Sequence, residues 1–378
     1  VHDRDDVVWL DSIIILNPKV WEASGHVASF TDPLIECKVC HERFRADQPD
    51  EIASHEKTHK KPSWTEPRQF NLLFRTFVGP VEDKSSLAYL RGETCQGIYV
   101  NFQNVLDSTR IKIPFGIAQI GKAFRNEVTP GKFIFRVREF EQMELEYFVH
   151  PSAAGEMFEY WKQERMAWHL SLGLRQKNIR FRQHEPTERA HYAADSWDIE
   201  YNFPQWGFKE VEGIANRTDY DLKTHSKFCG RDLSYTDPET QEKYIPFVIE
   251  PSVGVSRLFL ALLVDAYTQE EKRIVLKLAP TLAPVKVAVF PLVVNKEEIL
   301  RCARDVYRML KKRFPAAWDD RGNIGKRYLA QDEIGTPWCV TIDYDTLDND
   351  TVTVRDRDTT KQDRVNISQL VEYIANLI

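Results

Sequence analysis

Two short runs carry the residues best suited to chemistry, Phe124-Arg125-Asn126-Glu127 and Phe135-Arg136-Val137-Arg138-Glu139-Phe140, held apart by a turn at Thr129-Pro130-Gly131. A guanidinium presents a planar fork that donates two parallel hydrogen bonds to phosphate, and an aromatic ring beside it can stack on a base. Strand alternation puts Arg136, Arg138, Phe140, Gln142, Glu144 and Glu146 on one parity and Phe135, Val137, Met143, Leu145, Tyr147 and Val149 on the other. A hairpin over residues 115–149 would then have one apolar and one chemically loaded face, with Arg125 and Glu127 joining the latter across the turn. The ligand that suits such a face is anionic at one end and flat at the other, as a nucleotide is. The alternative is a salt-bridged sheet face exposed to water.

The order of these residues resembles motif 2 of class II aminoacyl-tRNA synthetases, and Phe140-Glu141-Gln142-Met143-Glu144 resembles the form found in glycyl-tRNA synthetases of the dimeric bacterial type. The resemblance covers nearly the whole chain. It implies an α+β fold, with an antiparallel catalytic sheet flanked by helices over residues 1–282 and an α/β anticodon-binding domain over 283–378, and with insertions at about 33–66 and 150–206. It implies ATP with Mg²⁺, glycine and tRNA(Gly) as substrates, a homodimer, and an upstream segment carrying most of motif 1 that this sequence does not contain. Arg125 would hold the α-phosphate, Glu127 and Phe140 the adenine, and Arg136 and Arg138 the nucleotide, with Asn126, Phe135, Val137 and Glu139 beside them.

Further along, residues 208–217 alternate acidic and apolar types, as a strand with one wet face would. Glu210 and Glu212 on that face suit Mg²⁺, a hard cation that takes oxygen ligands, or else form a solvated edge. The resemblance puts Glu210 and Val211 at the ATP and Arg217 at its phosphates. Residues 246–250 read as a buried strand, and Pro251-Ser252-Val253-Gly254-Val255-Ser256-Arg257 then resembles motif 3, which would deliver Arg257 to the γ-phosphate side. Arg125 and Arg257 are the implied catalytic pair, and the resemblance also puts Glu250, Pro251, Ser252 and Val253 of the same motif at the ATP. Leu90-Arg91-Gly92-Glu93-Thr94-Cys95-Gln96-Gly97 departs from the family's LRPETAQG at Gly92 and Cys95 but keeps Glu93, which would receive the amino acid's ammonium. The implied glycine site comprises Arg45, Glu93, Phe140, Glu141, Gln142, Met143, Glu144, Phe247, Glu250 and Ser252.

Cys37 and Cys40, with His55 and His59 downstream, form a C-x2-C-x14-H-x3-H pattern that suits a structural zinc, or else a reduced cysteine pair beside solvated histidines. The six cysteines are otherwise scattered, as in a reducing compartment, and cytoplasm is the expected location. The longest apolar run, residues 258–264, is far too short to span a bilayer, and the amino end shows no leader pattern. A net charge of −6 argues against a general polyanion binder.

The spacing also predicts a helix over 156–172, ended by Gly173, and in the last part strands at 285–290 and 338–343 with helices at 297–314 and 368–377. Two local basic clusters there, Lys311-Lys312-Arg313 and Lys326-Arg327, suit RNA contact or a solvated face. Residues 19–26 read as a loop, and 178–206 has no evident place. Three rival readings remain. A silent relative serving as a nucleic-acid accessory would have lost motif arginines that are present here; a zinc-finger protein leaves most of the chain unexplained; a synthetase for another small amino acid shares every motif.

Overall fold

The structure, a computed structural model, describes residues 3–59, 62–190 and 192–378. Val1 and His2, which open the run read for a leader, and Lys60, Lys61 and His191, within the two stretches read as insertions, lie outside the described residues. The chain divides into two compact units, one of Val1–Met166 with Ile179–Leu260 and one of Ala167–Asn178 with Ala261–Ile378.

The first unit is built on a seven-stranded sheet. In chain order its strands are β1 (Val7–Trp9), β2 (Phe115–Phe124), β3 (Glu139–Val149), β4 (Ile179–Gln183), β5 (Asp195–Phe203), β6 (Gly207–Thr218) and β7 (Phe247–Gly254). They are arranged β1-β2-β3-β7-β6-β5-β4, and every pair except β1 with β2 is antiparallel. The antiparallel sheet is the one expected. Strands β4 and β5 come from the stretch that had no place in the sequence. Arg180 pairs with Glu200 and Arg182 with Asp198 across these strands, so charged positions hide the period-2 signal.

Strand β3 begins at Glu139, later than the alternation suggested. Lys132 and Phe133 take left-handed backbone, at φ 57° and 56°, and Phe133–Phe135 form one 3₁₀ turn. Arg136 and Arg138 therefore sit in a loop and not on the strand. Along β3 the chemically loaded parity is not a solvent face: Gln142, Glu144 and Glu146 are buried, while on the other parity Met143 and Leu145 are half-buried and Tyr147 and Val149 buried. The cause is the helix Cys95–Thr109, whose Ile98, Phe102, Val105 and Leu106 share one face and pack against Phe115, Ile117 and Phe148. It covers that side of the sheet. Residues 19–26 also differ from the expectation: most belong to the helix Pro18–Ala23, started by proline at its first turn and by Asn17, whose side chain accepts from the Lys19 N–H.

The second unit carries a mixed sheet ordered Ala316–Trp318, Val287–Pro291, Trp338–Ile342, Thr351–Asp356, Gln362–Asn366, parallel among the first three strands and antiparallel after. The helix Glu297–Lys311 buries Ile299, Ala303, Val306 and Leu310 against it, four positions on one helical stripe. Of the two basic clusters, Lys311-Lys312-Arg313 is exposed. Arg327 is buried and donates to the carbonyls of Pro291, Asp320, Arg321 and Gly322, so its charge organises a loop and is not on offer to RNA. No helix among the described residues is long and apolar enough to cross a membrane.

Candidate active site

One register row crosses the first unit's sheet. Arg182, Asp198, Gly213, Ser252, Glu144 and Gln119 are successive partners on β4, β5, β6, β7, β3 and β2. Side chains in register point to the same face, so Gly213 leaves a gap of two strand spacings, about 10 Å, between Asp198 and Ser252. A cleft opens over that gap, and Arg125, Gln142, Glu210 and Ser252 are common to its two ends.

Guanidiniums and rings line one end. The Arg125 guanidinium lies 5.2 Å from the Phe30 ring centre and 5.3 Å from that of Phe140, and its Nε donates to the Gly92 carbonyl at 3.0 Å. A Cβ at Gly92 would come within 3.2 Å of both Leu73 and Phe30, so the departure from the family pattern leaves room for that ring. Arg257 stacks on Phe135 at 4.5 Å, donates from Nε to the Phe135 carbonyl at 3.1 Å and from Nη1 to Glu210 Oε2 at 3.1 Å. Arg138 donates to the Glu127 carbonyl at 3.3 Å, and Arg136 stands 4.0 Å from Glu127 Oε2. That Oε2 is buried and makes no hydrogen bond among the described residues, an open acceptor suited to an amino group on a purine. Asn126 is held by its own N–H, which donates to the Leu72 carbonyl at 2.7 Å.

Buried carboxylates line the other end. Glu144 Oε2 accepts from the Thr94 and Cys95 N–H groups, both at 2.7 Å, and from the Thr94 hydroxyl, while Oε1 accepts from Gln142 at 2.6 Å and Ser252 at 2.9 Å. The first amides of the helix thus hold this carboxylate, and both its oxygens are filled. Glu93 Oε1 gathers His26 Nε2 at 3.2 Å, the Cys95 thiol at 2.9 Å and the Gln96 amide at 3.0 Å, and Glu250 Oε2 pairs with Arg217. The second oxygens of Glu93 and Glu250 have no hydrogen-bond partner among the described residues.

Burial would raise the Glu93 carboxyl, but His26 and Arg217 outweigh it and hold it well below the usual range. Burial and the Glu93 charge lift Glu144. Burial, opposed by Arg217 and reinforced by Glu144 and Glu93, pushes Glu250 up to about 8.

Several expected residues stand elsewhere. A bulge in the pairing of β5 with β6, between Ile199 and Glu200, aims Glu210 at the cleft and leaves Glu212 buried on the opposite face with Arg165, so the two do not share a metal. Arg217, expected at the phosphates, is buried between Asp221 and Glu250 and spends its guanidinium on them. Arg45 pairs with Asp32 at 2.7 Å and Asp47 at 2.7 Å and feels the Glu127 charge, which sets it toward the nucleotide end. Phe247 opens β7 five residues before Ser252, about 17 Å away along the strand. Glu139 and Glu141 pair with Lys122, and Met143 and Val253 are partners on the face away from Ser252 and Glu144. Val211 and Pro251 are buried, Pro251 on that same opposite parity of β7. His184, Tyr192, Ser196 and Asp198 line the carboxylate end and were not foreseen. Burial and the Glu210 charge raise Asp198 to about 6.

Cys37, Cys40, His55 and His59 come together, with ligand atoms all within 4.8 Å of one another. Cys40 Sγ lies 3.6 Å from His55 Nε2, while His55 Nδ1 is held 3.0 Å from Glu42. A tetrahedral ion with metal–sulfur and metal–nitrogen distances of about 2.3 and 2.0 Å separates those atoms by about 3.5 Å, and a carboxylate behind the imidazole is the usual support. The His55 imidazole holds the Cys37 thiol at about 6. The donor set fits a metal ion.

An antiparallel sheet carrying arginines beside a motif-3 helix defines a class of enzyme first. Residues 80–267 match the family described as tRNA synthetase class II core domain (G, H, P, S and T), and residues 286–377 match the family described as Anticodon binding domain. A crystal structure of prolyl-tRNA synthetase from Cryptosporidium parvum aligns over 100% of this chain and 66% of its own, at a TM-score of 0.65 and 18% identity, a likeness of fold alone. The glycine–tRNA ligase of Thermobifida fusca is 52% identical over 99% of this chain and 87% of its own length, and that of Borreliella burgdorferi 52% identical over 99% and 85%. The chain belongs to the glycine–tRNA ligase family.

Proposed function

We propose that this chain activates glycine with ATP and transfers it to tRNA(Gly), and that the polarised cleft is where it does so. The observation that carries the reading is the contrast between the cleft's ends: arginines and an open acceptor at one, two half-engaged buried carboxylates at the other, and Gly213 between. In the first step the glycine carboxylate attacks the α-phosphorus in line and pyrophosphate leaves. Arg125 meets the α-phosphate and Arg257 the far phosphates, where fixed charge stabilises the pentavalent centre. Glu127 takes the adenine amino group, with Phe140 against the ring. Glu93 and Glu250 take the ammonium, and Glu144 sets Ser252 and Gln142 in place.

Mg²⁺, general to the class, would be held by Glu210 and would neutralise phosphate charge there. Cys37, Cys40, His55 and His59 would hold one structural Zn²⁺. The proposed boundary between catalytic and anticodon-binding parts lies near residue 282. A cytoplasmic homodimer is the expected state, and exposed Trp9, Ile13, Ile14 and Ile15 support such a contact. ATP–pyrophosphate exchange with a panel of amino acids tests the reading. Exchange with glycine and not with alanine or serine is expected, and exchange with another amino acid in preference to glycine would overturn it.

A further inference from the structure

One pair in the cleft has no part in the chemistry above. His184 stands just past the end of β4, where its N–H donates to the Ser196 carbonyl at 3.0 Å, and its Nε2 lies 2.8 Å from Oδ1 of Asp198. Asp198 is buried in the register row, and the His184 side chain keeps 23% of its surface exposed. Both line the cleft end that holds Glu93, Glu250, Ser252 and Arg125, across the gap left by Gly213. That Nε2 makes no well-aligned hydrogen bond among the described residues, so Asp198 holds the imidazole as a close charge partner, and the ring's other nitrogen is left to offer its lone pair. The rest of this end is poorly placed to accept a proton. Arginines have no acceptor, both oxygens of Glu144 are filled, Glu210 is paired with Arg257, and Glu93 and Glu250 are committed to the ammonium.

Activation needs no base, because glycine attacks as its carboxylate. Transfer does, because the attacking group is a hydroxyl. We propose that His184, oriented by Asp198, takes the proton from the ribose hydroxyl at the tRNA's end; the inference rests on the reading of the chain as a glycine–tRNA ligase. The hydroxyl oxygen bonds to the carbonyl carbon of the glycyl-adenylate. The bond from that carbon to the phosphate oxygen breaks, and AMP leaves with its electron pair. The hydroxyl proton passes to Nδ1 of His184, is balanced there by Asp198, and returns to water. His184 is thus a catalytic residue of the second step and Asp198 a positioning one.

The experiment compares two rates on the same preparations of wild type, His184→Ala, His184→Gln and Asp198→Asn. One is ATP–pyrophosphate exchange with glycine; the other is single-turnover transfer from preformed adenylate to tRNA(Gly) by rapid quench. A general base is worth about 10²- to 10⁴-fold, so transfer should fall by that factor in His184→Ala, while exchange falls less than about tenfold. Added imidazole should restore part of the transfer rate. His184→Gln keeps the shape without a base and should behave like His184→Ala; it decides the matter if the alanine variant does not fold. Asp198→Asn should lower transfer by a smaller factor, again with exchange the less affected. Transfer at the wild-type rate in the His184 variants, or equal falls in both rates, would overturn the proposal. A wild-type chain that makes no glycyl-adenylate would instead overturn the reading beneath it.

Discussion

Glu250 gives the sharpest test of the ammonium site, because its surroundings make glycine binding pH-dependent in a stated direction. Its carboxyl sits at about 8, lifted by burial and by the charges of Glu144 and Glu93 against the pull of Arg217. Near neutral pH it is therefore mostly protonated, and an ammonium arriving beside it must drive the proton off. The sign follows: glycine affinity rises with pH up to about 8 and levels beyond. A group titrating near 8 is ionised to about 1% at pH 6, 10% at pH 7 and 50% at pH 8, so the apparent affinity should climb roughly tenfold and then about fivefold over those two units.

Replacing Glu250 by Gln removes the titration and keeps the shape. At pH 8 the loss should be that of one charge-assisted hydrogen bond to a buried ammonium, roughly 1.5 to 3 kcal/mol or about 10- to 150-fold in kcat/KM for glycine. Arg217 keeps Asp221, so the buried guanidinium is not orphaned and the fold should stand. The assay is exchange at saturating ATP with glycine varied, from pH 6 to 8.5. A flat wild-type profile, or a Gln variant that keeps the slope, would refute the assignment of Glu250 to the ammonium.

Gly213→Ala tests the cleft floor: a Cβ there meets nothing nearer than the Asp198 Oδ1 at 4.0 Å, so the chain should fold normally, while one methyl in the gap should cost about tenfold or more in kcat/KM for glycine and leave ATP binding unchanged. Arg125→Ala should lower the activation rate by about 10²- to 10³-fold with little change in the KM for glycine, as read by exchange, because its charge matters most when the α-phosphate gains its own. Purified protein should carry about one zinc per chain by elemental analysis, and EDTA should lower the melting temperature of the wild type but not of a Cys37→Ser, His55→Ala variant.

How much was legible in the sequence follows from how far each side chain's position depends on neighbours in the chain. Arg125, Glu127 and Phe140 lie within one hairpin, and Glu250, Ser252 and Arg257 within one strand and the helix it feeds, so short motifs were enough to gather them. Helix 297–311 likewise announced itself, because its buried residues repeat on one stripe. What failed to show was set by pairing. Glu210 and Glu212 look equivalent in sequence, yet a bulge against β5 turns one to the cleft and the other to Arg165. Arg217 carries no mark that Asp221 and Glu250 will enclose it, and that enclosure moves its charge from the phosphates to the carboxylates. The hidden strands β4 and β5 supply the whole wall that carries His184 and Asp198.

Selectivity for glycine is set on the other side of Gly213. Glycine offers nothing to grip beyond its two charged groups, so a site that takes it must refuse every side chain by lack of room. The refusal needs a rigid floor and fixed walls. Gly213 is flanked on β7 by Ser252, and that flank is tied down by Glu144, which holds Ser252 by hydrogen bond. Glu144, filled on both oxygens by five donors, cannot move toward a larger substrate without leaving helix amides unpaired, at a cost of about 1 to 3 kcal/mol for each buried group. Glu144, implied by the resemblance as a residue of the glycine site, thus acts there as the brace of the pocket. Glu144→Gln should therefore loosen discrimination, raising exchange with alanine relative to glycine by about tenfold, where a direct ammonium ligand would lower exchange with both amino acids alike.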